Sequence, residues 1–146
     1  MTNFRFSLQK ALDLRHSQLE LEEAKFQQQA AVLVELERAR QDMQASRADA
    51  EALVRAGGSA QGYDLAALGA FRSHVQSKEK DLAGRRVEGE QKLEECRDAM
   101  LEARRRCLLL EKLKERRKAD WNVALNRELE ELAAESYLAQ WNRGQA

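Results

Sequence analysis

A single glycine-rich break, Gly57-Gly58-Ser59-Ala60-Gln61-Gly62, divides a chain without one proline into two arms of unequal length. Nothing else in the sequence constrains the fold as tightly. A proline inside a helix costs about 3 kcal/mol, so its absence lets both arms run on. The glycines supply the positive-φ conformers that a chain reversal requires. Folding back about the break puts residue i of the first arm opposite roughly residue 120 − i of the second, because both arms rise equally per residue. Leu8 then lies near Lys112, and residues from about Arg117 onward have nothing to pair with. That overhang still carries Trp121, Leu125, Leu129, Leu132, Tyr137, Leu138 and Trp141. Apolar residues kept where the chain offers no cover argue for a partner.

Composition supports long helices over a compact globule. Of 146 residues, 34% are charged and 5% aromatic, so a thin seam is all the chain can bury. The 25 basic and 25 acidic residues cancel, which removes any bulk attraction to nucleic acid or anionic lipid. There is no run of 18 apolar residues and no signal-peptide pattern in Met1 to Leu14. The expectation is a cytoplasmic protein with no direct membrane insertion.

Phe6-Ser7-Leu8 reads as a helix start with Ser7 as N-cap and Phe6 before it. The first helix is expected over about 7–56. Its apolar stripe runs Leu8, Leu12, Leu19, Phe26, Leu33, Leu36, Met43, Ala50, Val54, with steps of three, four or seven. A second heptad position is polar, at Arg15, Glu22 and Gln29, which suits an antiparallel hairpin better than a long parallel dimer. After a turn over 57–63, Asp64 is expected to cap a second helix over about 64–142, with Gly144 just past its end. The second stripe is Leu68, Val75, Leu82, Leu93, Cys96, Met100, Ala103, Cys107, Leu110; it becomes ambiguous there and re-emerges at Trp121. Gly84 and Gly89 interrupt this arm at about 1 kcal/mol each, a cost its length can carry. The fold class is therefore all-α: a long two-helix antiparallel coiled coil with a longer second helix and an unpaired end over about 118–142.

Cys96 and Cys107 lie on one helix about 16 Å apart, since each residue rises about 1.5 Å. A disulfide needs Cα atoms within about 7 Å. Almost three full turns separate them, so both point to one face and read as small seam residues.

Charge is segregated. Arg104 to Lys118 holds eight basic residues and two acids, whereas Asp120, Glu128, Glu130, Glu131 and Glu135 follow against the single Arg127. A solvated face explains any one of these cations. Eight within fifteen positions repel unless something screens them.

Catalytic chemistry has little footing. His16 and His74 have no cysteine or acidic constellation at metal-ligand spacing, and His16 with Glu20 reads as a surface pair. Gly57-Gly58 lacks the Gly-Lys-Ser/Thr ending of a phosphate loop. A two-helix rod offers no concave pocket in which to shift carboxylate pKa values. No enzyme activity, cofactor or metal is expected.

The opening Phe4-Arg5-Phe6-Ser7-Leu8-Gln9-Lys10-Ala11-Leu12-Asp13-Leu14-Arg15 resembles the start of the FliJ family, soluble components of the bacterial flagellar type III export apparatus. Leu110-Glu111-Lys112-Leu113-Lys114-Glu115-Arg116-Arg117 with Trp121, and the acidic stretch after it, resemble the family's later signature. The resemblance covers essentially the whole chain. It implies a stalk like that of rotary ATPases, whose open end enters the hexameric export ATPase ring and whose turn end reaches the cytoplasmic part of the export gate. It also implies handling of substrate chaperones, and a location at the inner face of the cell membrane through the apparatus. The ring contacts are then expected at Arg5, Lys10, Arg15, Lys112, Lys114, Arg116, Arg117, Trp121, Leu125 and Leu129. The gate contacts are expected at Met43, Phe71 and Val75, where the short glycine-rich tip departs from the family pattern; plain seam packing is the alternative for those three. Other readings are a stalk from a virulence-type secretion system or a rotary ATPase, and a nucleic-acid-associated coiled coil using Arg104 to Lys118. The adjacent acidic stretch counts against the last. A plain structural dimeriser is disfavoured by the polar heptad positions.

Overall fold

The computed structural model describes residues 3–57 and 62–146, without the side chain of Tyr63. It contains two helices, α1 over Gln9–Ala56 and α2 over Gly62–Gly144, of 48 and 83 residues. They contact each other as a coiled-coil-like hairpin in which the second helix is the longer. No strand occurs among the described residues. Of the expected turn over 57–63, residues 58–61 lie outside them, Gly57 is a turn residue, and Gly62 and Tyr63 already belong to α2.

The helix ends differ from expectation in ways that local chemistry explains. Ser7 and Leu8 form a turn, closed by Gln9 N–H donating to the Phe6 carbonyl at 3.1 Å. Ser7 sits outside the helix, and its Oγ accepts a bond from Arg117 Nη1 at 2.9 Å. Asp64 is not the cap of α2 but part of its first turn, where a carboxylate still favours the positive end of the helix dipole. Gly144 closes α2 instead of following it.

Contacts gather into two units, Met1–Leu19 with Glu102–Ala146, and Glu20–Leu101. In the second of these, Val75 is the most deeply covered side chain, 1% exposed. Gly89 packs against α1 between Gln29 and Leu33, level with Ala31, as reflection about the break requires. The polar heptad position at Gln29 has its reason here: Gln29 Nε2 donates to the Gly89 carbonyl at 3.3 Å. Long polar side chains meet about three residues further on, with Glu51 reaching Arg72 and Glu37 reaching Arg86 instead of Gly69 and Ala83. Side chains lean toward the N-terminus of their own helix, so partners on antiparallel helices overshoot the Cα register.

In the first unit Phe6, Leu12 and Cys107 are buried. Cys96 of the other unit is half-buried. Both stripes occupy covered positions along most of their lengths, with Leu8 at the margin. Yet only four hydrophobic side chains are buried outright among the described residues, and no polar one is. The seam is thin.

Gly84 and Gly89 are not equivalent. A Cβ on Gly84 would meet nothing within 4 Å, whereas one on Gly89 would come to 2.8 Å from Leu33 Cδ2. Gly89 fills the place in the stripe between Leu82 and Cys96 and lets the helices approach. Gly84→Ala should therefore raise stability by about 1 kcal/mol from helix propensity alone. Gly89→Ala should show a smaller gain or a loss, because Leu33 must move, and Gly89→Leu should destabilise. Urea unfolding followed by far-UV circular dichroism reads all three; equal gains for both alanines would mean that Leu33 yields freely.

Candidate functional site

The first unit places most of the expected ring contacts together. Arg5, Lys10, Lys112 and Arg116 are exposed, and Lys114 is half-buried. Arg15 is half-buried, with its Nη1 donating to Gln18 Oε1 at 3.0 Å. His16 does not pair with Glu20 as expected; its Nε2 lies 3.2 Å from Glu111 Oε1 across the seam. Among the described residues no carboxylate oxygen lies within 4.0 Å of Lys112, Lys114, Arg116 or Lys118, so these cations are available to an external anion. Arg105 and Arg106 instead share Glu102 one turn back.

Arg117 has a different role from its neighbours. Its guanidinium lies 5.8 Å from the Phe6 ring centroid and bonds Ser7, so it is committed to holding the N-terminal segment down. Phe4 then reaches Trp121, with ring centroids 6.0 Å apart and planes tilted by 54°. This corrects the expectation that cover ends near Arg117. Residues 3–6 are not helical, and Phe4 meets Trp121 by overshooting the reflected register, as Ser7 does with Arg117 and His16 with Glu111. The bare end begins after Leu125, which is half-buried; Leu129 is 40% and Leu132 58% exposed. Sequence reading noted Phe6 but missed Phe4. Two aromatics within three positions just ahead of the helix were the signal.

The second unit holds the expected gate residues. Val75 is fully covered and belongs to the seam, so it presents no surface; Met43 and Phe71 are half-buried. Phe71 lines an open pocket of about 460 Å³ with Leu53, Val54, Ala67 and Leu68, and Leu53 was not anticipated. Near it Glu51 receives Arg47 at 3.4 Å and Arg72 at 3.0 Å. Desolvation pushes its carboxyl up, and the two guanidiniums outweigh that and hold it below the usual carboxylate range.

Among the described residues no group of histidine, cysteine or acidic side chains could hold a metal ion, and no helix is long and apolar enough to cross a membrane. Comparison with protein-family models, characterised proteins and solved structures finds no match to this chain.

The N-terminal segment can be tested by fluorescence. In a Trp141→Phe background, Phe4→Ala should shift Trp121 emission to longer wavelength and increase its quenching by iodide, because a half-covered indole becomes wet. Phe6 is 8% exposed, so Phe6→Ala should cost about 3 kcal/mol, the low end for truncating a buried phenylalanine. An unchanged emission maximum in the Phe4 variant would show that the two rings do not pack in solution.

Proposed function

We propose that this chain is the central stalk of a flagellar type III export apparatus, engaging the export ATPase ring through the unit built from its two termini. One observation carries the reading. Cations at Lys112, Arg116 and Lys118, exposed and without an ion-pair partner among the described residues, precede along α2 an apolar stripe, Leu125, Leu129 and Leu132, that progressively loses its cover. Cations without counter-charges favour an acidic surface, and each large apolar side chain left wet forgoes roughly 1.5–3 kcal/mol that burial would recover. Both needs are met inside a ring whose lining is acidic at one level and apolar at another. The sequence resemblance at Phe4 to Arg15 and Leu110 to Trp121 supplies the identity of that ring.

On this reading the stalk links ATP hydrolysis to substrate entry mechanically, with no chemistry of its own. The turn-proximal surface around Met43 and Phe71 contacts the cytoplasmic part of the export gate, with the pocket lined by Leu53 and Leu68 as the recess for an apolar side chain. Free substrate chaperones are further partners, and the protein works at the inner face of the cell membrane without entering it.

The test is stimulation of a purified export ATPase. Lys112→Glu, Arg116→Glu and Lys118→Glu together should abolish stimulation while leaving helicity unchanged, and stimulation by the unaltered chain should weaken as salt screens exposed charges over about 10 Å at 0.1 M. Arg117 is left intact because its reversal would release Phe6 and Ser7. A chain ending after Asn126 keeps Trp121 under Phe4, and it should retain its hairpin yet lose ring binding and motility. Full stimulation by both variants would remove the ring from this account.

A further inference from the structure

The face of α2 turned away from α1 carries an apolar row of its own. The covered strip of the first unit runs through Cys107, Leu110, Trp121 and Leu125. At 3.6 residues per turn, Leu108, Leu109, Val123, Tyr137, Leu138 and Trp141 all fall on the opposite side. Their exposures are 47%, 59%, 65%, 63%, 58% and 54%. Neither the seam nor the proposed ring contacts use this row, and the inference below does not rest on the ring.

The row is self-complementary. We infer that it is the interface for a second copy of the same chain, packed antiparallel along α2 with a two-fold axis at Val123. Under that operation Val123 meets Val123 of the partner copy. Leu108 and Leu109 then fall opposite the partner's Leu138 and the partner's Tyr137, and Arg105 falls opposite the partner's Trp141, a cation over an indole. Charges fall into register as well. Arg116 faces the partner's Glu130 and the partner's Glu131, and Asp120 faces the partner's Arg127. Each pairing away from the axis occurs twice, because a two-fold interface is isologous.

Charge complementarity selects this occupant and this direction. A parallel pair would set the Arg104 to Lys118 block against itself and Glu128 to Glu135 against itself. An antiparallel pair centred only on the bare end would again oppose its acidic residues. The axis at Val123 is the arrangement that lays the basic half of one helix on the acidic half of the other. The contact runs from Arg105 to Trp141, about 54 Å of helix at 1.5 Å per residue. Since Arg116 serves both surfaces, the paired form and the ring-bound form exclude each other.

The experiment uses the full chain. Sedimentation equilibrium across the micromolar range should give twice the 16.7 kDa chain mass. Val123→Glu, an exposed substitution that leaves helicity unchanged, should return the monomer mass. Arg116→Glu should do the same, and adding Glu130→Arg and Glu131→Arg should restore the dimer. Under mild oxidation Val123→Cys should form a disulfide-linked dimer, whereas Leu109→Cys should crosslink only when combined with Tyr137→Cys. A monomer throughout the concentration range overturns the inference. So does a dimer indifferent to Val123→Glu, which would place the interface elsewhere, and so does self-crosslinking of Leu109→Cys alone, which would make the pair parallel.

Discussion

Two cylinders touch along a strip only one or two side chains wide, and everything in this molecule follows from how little that strip can bury. With no third layer to cover the far side of either helix, most residues must be compatible with water. The chain meets this with abundant charge and i,i+3 or i,i+4 pairs such as Glu22–Lys25, Glu35–Arg38 and Glu90–Arg86. Exposed pairs of this kind are worth a few tenths of a kcal/mol each, so they support the helices without fixing their register. Register falls to a few close fits. Gly89 against Leu33, with the Gln29 amide on the Gly89 carbonyl, is one of them.

The same thinness explains why functional surface is cheap to make here. A globular domain hides its helices on several sides, whereas this one leaves broad faces of α2 open. Which faces matter is decided by charge and by apolar side chains that have no local cover. The cations at Lys112, Lys114, Arg116 and Lys118 stand apart from those at Arg105 and Arg106 because the latter share Glu102, while among the described residues the former have no carboxylate oxygen within 4.0 Å. Arg117 looks identical in sequence and differs entirely in situation, since an aromatic ring and a hydroxyl already occupy it.

Periodicity exposed most of the fold. The break, the two arms and both stripes could be read from residue spacing because a helix pair imposes one repeat along its whole length. Where the reading failed, another kind of geometry was involved. Reflecting Cα positions put the end of cover near Arg117, but side chains overshoot that register, and Phe4, ahead of the helix, reaches Trp121. Gly89 looked like an interruption because propensity scales describe a lone helix and not one pressed against a leucine. Val75 sat on the right stripe for a seam and was also offered as a contact surface; full burial leaves it only the first role. The outward row from Leu108 to Trp141 was legible in principle, but it competes with the seam stripe for attention and emerges only once the seam face is known.

The N-terminal segment has a mechanical property that its aromatic contacts do not reveal by themselves. Phe4 lies ahead of the turn at Ser7 and Leu8, whose last backbone tie to α1 is Gln9 N–H donating to the Phe6 carbonyl, two residues beyond Phe4. Peeling Phe4 from Trp121 therefore unwinds nothing: no backbone bond of α1 has to break, and the helix pair behind it stays registered. The indole beneath can be covered or bared by moving a handful of residues on a hinge. A continuous helix reaching the same point would have to melt from its end to do so.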